Sequence, residues 1–193
     1  ENTIIDSVLT VEHNAEHGQF VLDGEGLELL SLKLDGRLLT ADEWDYQNDK
    51  LTVHAPPLHR FQLEIQQRCK PKSNTALSGL YVSSGVYCTQ MEAEGFRRFA
   101  FMQDRPDVMA TYLVHIYATN DFPVLLSNGN KISRGHVAGS DNHFAIWEDP
   151  HPKPTYLFAL VAGDLACVKD SFITMEGREV ELGIYVEPGK QDR

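Results

Sequence analysis

Along most of the chain, apolar and polar residues alternate in short runs closed by turn residues. This is the two-residue period of half-buried strands, not the 3.6-residue period of helices. Ile5, Ser7, Leu9 and Val11 fall on one face of an opening strand, and Leu30, Leu32 and Leu34 alternate with Ser31 and Lys33 ahead of Asp35-Gly36. Asp-Gly between two such runs predicts a tight hairpin, because both turn positions need positive φ. Leu51-Thr52-Val53 reads as a short strand. Phe61-Gln62-Leu63-Glu64-Ile65 reads as a strand buried on one side and wet on the other. Between them Pro56-Pro57 forces an extended turn.

The same grammar continues. Asp104-Arg105-Pro106-Asp107 opens a short turn or a single helical turn, with Pro106 near its first position and Asp104 or Asp107 at its positive end. Tyr112-Leu113-Val114-His115-Ile116-Tyr117 is β-branched and aromatic, which predicts a strand covered on both faces. Ser127-Asn128-Gly129-Asn130 predicts a hairpin turn after Val124-Leu125-Leu126. His143-Phe144-Ala145-Ile146-Trp147 alternates, and the three prolines Pro150, Pro152 and Pro154 predict a stiff loop after it. Tyr156-Leu157-Phe158-Ala159-Leu160-Val161-Ala162 is apolar throughout and predicts a central, doubly covered strand. Ser171-Phe172-Ile173-Thr174, the Glu176-Gly177 turn and the run from 180 to 186 predict a closing hairpin with Val180, Leu182, Ile184 and Val186 toward the core. The fold class expected is all-β: twisted, largely antiparallel sheets packed as a sandwich or saddle, with at most one short helix or turn near 104–112. The polar tail after 187 reads as a linker.

Composition narrows the function classes. A chain of 193 residues is long enough for one all-β domain or a tight pair of small ones, and 42% hydrophobic content is that of an ordinary globule. A formal net charge of -11 supplies no basic face for phosphates, so nucleic acid is not an expected partner, while cationic ligands such as amines are permitted. No apolar run approaches the roughly 20 residues of a membrane span, and no charged-apolar-small signal peptide opens the chain. Glu1 in place of a starting methionine reads as an excised or processed segment. Cys69, Cys88 and Cys167 are odd in number and widely spaced, which points to free thiols, a reducing compartment and a cytoplasmic location. Trp44 and Trp147 sit in unrelated contexts, so no aromatic platform for a sugar is built.

The candidate chemistry is acidic. If 88–98 is extended, Gln90, Glu92 and Glu94 share one face and Met91 and Ala93 the other. Two carboxylates at i and i+2 repel, and only Arg97 and Arg98 stand near enough in sequence to neutralise them. Such a face suits a free α-amine, because charge-assisted hydrogen bonds to carboxylates are the strong ones. A solvated turn whose glutamates merely face water would show the same spacing. His13-Asn14-Ala15-Glu16-His17 spells H-x-x-E-H, but that pattern binds zinc only on a helix. Its neighbours here are a strand and Gly18-Gln19-Phe20, so no metal ligand is assigned in the segment. His54, His59 and His151 read as surface residues. No H-E-x-x-H, G-x-S-x-G, phosphate loop or catalytic cysteine-histidine signature occurs.

Several runs together carry a resemblance. Thr75-Ala76-Leu77-Ser78-Gly79-Leu80-Tyr81, Thr89-Gln90-Met91-Glu92-Ala93-Glu94-Gly95-Phe96-Arg97 and Asp104-Arg105-Pro106-Asp107-Val108 are followed, in order, by two more: Leu125-Leu126-Ser127-Asn128-Gly129-Asn130 and Tyr156-Leu157-Phe158-Ala159-Leu160-Val161-Ala162-Gly163-Asp164. They resemble the N-terminal domain of the bacterial zinc-dependent aminopeptidase N family over nearly the whole chain. The resemblance implies that Glu92 helps to bind the free amino terminus of a peptide and that Gln90 lines the pocket for its first side chain. Met91 departs from the family's cysteine, so little rests on it, and Glu94 is read chiefly as a partner of Arg97 or Arg98. It implies a zinc ion in the full-length enzyme, held and used outside this segment, which by itself should be inactive. It also implies a β domain over 1–187 that lacks the family's first strand, the start of a linker over 188–193, and an uncovered edge open to a second copy. A non-catalytic interaction module of the wider family is the alternative.

Overall fold

A computed structural model of the chain describes residues 2–13 and 18–192, with only the backbone of His13. The H-x-x-E-H run, apart from the backbone of His13, therefore lies outside the described residues. In chain order the first strands are β1 (Thr3–His13), β2 (Phe20–Asp23), β3 (Glu28–Leu34), β4 (Arg37–Leu38), β5 (Trp44–Gln47), β6 (Lys50–Val53) and β7 (His59–Cys69). They form two sheets, ordered β1-β7-β3-β4 and β2-β6-β5. There follow β8 (Gly79–Ser83), β9 (Val86–Gln90), β10 (Met109–Thr119), β11 (Val124–Ser127), β12 (Asn130–His136), β13 (Asn142–Pro154) and β14 (Leu160–Gly163), in sheets ordered β11-β14-β9-β8 and β10-β13-β12. A two-stranded ribbon of β15 (Ala166–Ile173) and β16 (Glu179–Val186) closes the chain. Every ladder among these strands is antiparallel.

The alternation read from the sequence explains the cores. Phe61, Leu63 and Ile65 of β7 and Leu32 of β3 meet Phe20, Leu22, Leu51 and Val53 of the second sheet, all buried. The same core runs on through Met91, Phe96, Phe99, Phe101 and Phe158. A second, smaller core joins Ile116 and Ala145 to Leu125 and Ala162, so the two later sheets pack face to face. Tyr87, Val114 and Leu160 touch both cores and make them continuous. The Asp35-Gly36 hairpin forms as expected, with both residues at positive φ. The three cysteines are unpaired, and burial pushes the Cys69 thiol up to about 11. No helix of the described residues is long and apolar enough to cross a membrane.

Five local expectations are corrected. A register shift between Leu29 and Ser31 lets Leu29 pack inward and leaves Leu30 on the outside, so a bulge interrupts the alternation. β10 is covered on one face only: Leu113 is 61% and Tyr117 59% exposed. The stiff loop after Trp147 is instead the second half of β13. Its register against β10 slips between Ala110–Lys153 and Tyr112–Asp149, so Pro150 and Pro152 fall in a bulged stretch without a β10 partner, and on the other edge β12 reaches only to Glu148. Ser127-Asn128-Gly129-Asn130 turns the chain from one sheet to another, since β11 pairs with β14 and β12 with β13. The apolar run at 156–162 splits into a single 3-10 turn, Thr155–Leu157, and the short strand β14.

The closing hairpin forms, but among the described residues its apolar face has no core beneath it. Val168, Phe172, Leu182 and Ile184 share that face and are exposed. At 104–112 there is a turn through Arg105 to Asp107 and then the start of β10, while single 3-10 turns occur at Pro71–Ser73 and Phe96–Arg98.

Candidate functional site

The acidic stretch begins where β9 ends. A two-residue turn at Ser84 and Gly85, both at positive φ, reverses the chain from β8 into β9. The Thr89 hydroxyl, bonded to the Leu160 N–H at 2.9 Å, fastens β9 to β14. Gln90 is the last residue of β9, opposite Gly79. The extended reading of 88–98 therefore holds only to Gln90: residues 92–95 are turn and Phe96–Arg98 is a 3-10 turn. The reason is local closure, for Gly95 N–H donates to Met91 O at 2.7 Å and Arg98 N–H to Gly95 O at 3.1 Å. The Glu92-Ala93 peptide bond within it is cis.

Two glycines make the turn fit. A Cβ on Gly95 would stand 2.2 Å from the Gln90 carbonyl oxygen, and one on Gly79 2.8 Å from Arg98 Cβ. Beneath the turn, Met91 is buried with an aromatic cluster in which Phe96 meets Phe158 edge-on at 5.3 Å and Phe99 stacks on Phe158 at 5.4 Å. Met91 thus packs inward, with its side chain in the core. Gln90, Glu92, Ala93 and Glu94 are exposed.

The charges divide unequally among the carboxylates. Gln90 Nε2 donates to the Glu92 carbonyl oxygen at 3.2 Å, which ties the end of the strand to the turn. Glu94 pairs with Arg97 at 3.2 Å, as its expected supporting role requires. Arg98 is drawn away to Glu25, while the Glu25 N–H donates to Arg97 O at 2.7 Å. The Glu92 carboxylate has no hydrogen bond or ion pair among the described residues. It is the free acid of the group.

Asp104, read as a turn-opening residue, turns out to be the buried anchor of the stretch. Its side chain is 1% exposed, and one carboxylate oxygen accepts both the Arg97 N–H at 3.1 Å and Arg97 Nε at 3.0 Å. The other accepts the Thr155 hydroxyl. The Asp104 N–H donates to Asp23 at 3.0 Å, and Asp23 pairs with Lys50. Burial opposes ionisation of Asp23, but Lys50, the Asp104 amide and Arg97 together hold its carboxyl below the usual range. Burial, with Asp104 and Asp149 nearby, pushes the Tyr112 phenol up to about 12. The only sequence sign of this network was the Asp104-Arg105-Pro106-Asp107 run, whose burial no local pattern announces.

Zinc does not fit the described residues, among which no group of three or more His, Cys, Asp and Glu side chains is placed to hold a metal ion. His59 and His151 are exposed, and His54 is bonded to Asp45 at 2.8 Å. A hollow of about 120 Å³ lies elsewhere, between Val124, Lys131, Arg134, His143 and Tyr185, and shares no residue with the acidic turn. The turn is an open acidic ledge, not an enclosed pocket.

Comparison with known proteins bears on the whole chain. Residues 3–157 match the family described as Peptidase M1 N-terminal domain. The chain is 51% identical over 173 residues to an aminopeptidase N of Caulobacter vibrioides, covering 90% of this chain and 20% of that protein. Among solved structures, an aminopeptidase A of Legionella pneumophila in complex with aspartic acid aligns at a TM-score of 0.90 and 38% identity, over 96% of this chain and 22% of that one. An M1 zinc metallopeptidase of Deinococcus radiodurans bound to a Tyr-Ser-Ala substrate shares the fold at a TM-score of 0.82 and 21% identity, over 97% of this chain and 44% of that one. The chain spans about a fifth of the length of the first two of these relatives.

Proposed function

The chain belongs to the M1 peptidase family as its N-terminal domain, and on that premise we propose that it anchors substrates for a zinc aminopeptidase whose reacting centre lies in the longer protein. The observation that carries this is the unequal fate of the two turn glutamates. Glu94 is spent on Arg97, whereas Glu92 is exposed with no partner of its own. An exposed, unpaired carboxylate in the turn that follows β9 suits the ammonium of a peptide's first residue. Gln90, whose amide N–H₂ is turned to the Glu92 carbonyl, keeps its side-chain oxygen for the first side chain or the same ammonium. The Legionella relative, solved with a free amino acid, supports a ligand that carries an α-amine.

A zinc ion held by residues outside this segment would polarise the scissile carbonyl and lower the pKa of its bound water. This chain's part is to fix the amino terminus, so that the bond presented to that centre is the first one. Residues 1–187 then form the anchoring domain, 188–193 lead toward the rest of the enzyme, and the segment alone has no peptidase activity. The three unpaired cysteines support a reducing, cytoplasmic setting.

In the longer enzyme, Glu92→Ala should lower kcat/KM for free-amine peptide substrates 10- to 100-fold, the scale of one lost charge-assisted hydrogen bond. Steady-state kinetics on an aminoacyl anilide reads it, and an unchanged kcat/KM rules the anchoring role out.

A further inference from the structure

We propose that Asp104 is an electrostatic positioning residue: by neutralising Arg97 from below, it keeps the ledge of Glu92 and Glu94 negative toward an approaching ammonium. The inference rests on the amine-anchoring reading above. A single guanidinium joins two carboxylates of opposite situation, Asp104 in the interior at 3.0 Å and Glu94 at the surface at 3.2 Å. The Glu94 side chain is 68% exposed and that of Asp104 is 1%. Without Asp104 the Arg97 charge would be spent wholly on the ledge, and the set of Glu92, Glu94, Arg97 and Asp104 would fall from two net negative charges to one.

The arrangement holds Arg97 on the Asp104 side at several points. Its N–H and Nε both reach one Asp104 oxygen, and Nη2 donates to the Asp104 carbonyl at 3.0 Å. The second Asp104 oxygen takes the Thr155 hydroxyl, so both carboxylate oxygens are held, and the backbone N–H of Asp104 is held in turn by Asp23. Stability alone does not account for a charged pair here, since a buried ion pair often gives no net stabilisation over an uncharged replacement of similar volume. A neutral pair would preserve the charge balance of the ledge, and a lone Asp104→Asn would not.

The experiment compares wild type, Asp104→Asn and the double variant Arg97→Gln/Asp104→Asn in the longer enzyme, using an aminoacyl anilide. A unit charge within about 10 Å at an effective dielectric constant near 20 is worth roughly tenfold in affinity. Asp104→Asn should therefore raise KM about tenfold, with kcat within about twofold. The double variant, neutral at both positions, should return KM to within about threefold of wild type, and a competitive inhibitor without an amine should bind all three proteins alike. An unchanged KM in Asp104→Asn, or an equal rise in both variants, overturns the proposal. Should Asp104→Asn fail to fold, the double variant decides: retention of KM supports the charge role and a tenfold rise overturns it. Glu92→Ala measured alongside separates the two readings. If Glu92→Ala is silent while the Asp104 pattern persists, the ammonium contact lies on another group and the charge role stands.

Discussion

Gly95 shows how much of the ledge depends on single atoms. Its φ of -83° is open to any residue, so the constraint is space alone: a Cβ would stand 2.2 Å from Gln90 O and 2.9 Å from Met91 Cα, both backbone atoms. Gly95→Ala should therefore displace the turn and lower stability by about 1–3 kcal/mol, the usual cost of overpacking. Gly85, where a Cβ meets nothing within 4 Å, gives the control: its alanine variant bears only the strain of φ +82°. Denaturant melts of the two variants check this, and a Gly95→Ala variant as stable as wild type would refute the close approach. At this scale the spacing displayed Gln90 and Glu92, but only the family resemblance marked them as candidate contacts, because exposed polar residues look alike in the letters whether they hold a ligand or face water. The burial of Asp104 against Arg97 was not visible, since the two meet only after a 3-10 turn and a reversal of the chain.

Elements were legible in period and not in partnership. Alternation places Val168, Phe172, Leu182 and Ile184 on one face of the β15–β16 ribbon, but it cannot say whether anything lies beneath that face. Nothing among the described residues does: Ile184 is 64% exposed, while Leu63 of β7 is fully buried. Ile184→Ala should consequently cost less than about 1 kcal/mol and Leu63→Ala about 2–5 kcal/mol. Chemical denaturation of this chain measures both, and an equal cost would show that the ribbon packs on the body after all. The prolines of β13 teach the complementary lesson. Read locally they signal a loop, yet a strand accommodates them because one of its edges is unpaired there.

For the whole molecule, charge and edges pull in opposite directions. β1 is an outer strand of its sheet, eleven residues long, paired to β7 without a register shift and with neither proline, lysine nor arginine along it. Such an edge favours addition of a second copy, while a net charge of -11 disfavours it. Screening decides between them, because the Debye length falls from about 30 Å at 0.01 M salt to roughly 3 Å at 1 M. The isolated domain should be monomeric at low salt and associate as salt rises, with Val8→Lys on the exposed face of β1 reducing the effect. Sedimentation at several concentrations reads it, and a monomer under all conditions excludes the edge as a contact. The all-β class was legible because its period-2 signal repeats from end to end. The order of the sheets was not, being set by contacts between residues far apart.

The anchors of the acidic ledge have that same distant origin. Asp104 is fixed by Asp23, 81 positions earlier, and by Thr155, 51 later, and Arg98 by Glu25, 73 earlier. A synthetic peptide copying 88–98 would carry every letter of the ledge and none of its shape. Grafting those letters onto another protein would transfer the acids and arginines without Asp104 and Glu25, which hold the arginines in place, so the smallest portable unit of this site is the domain itself.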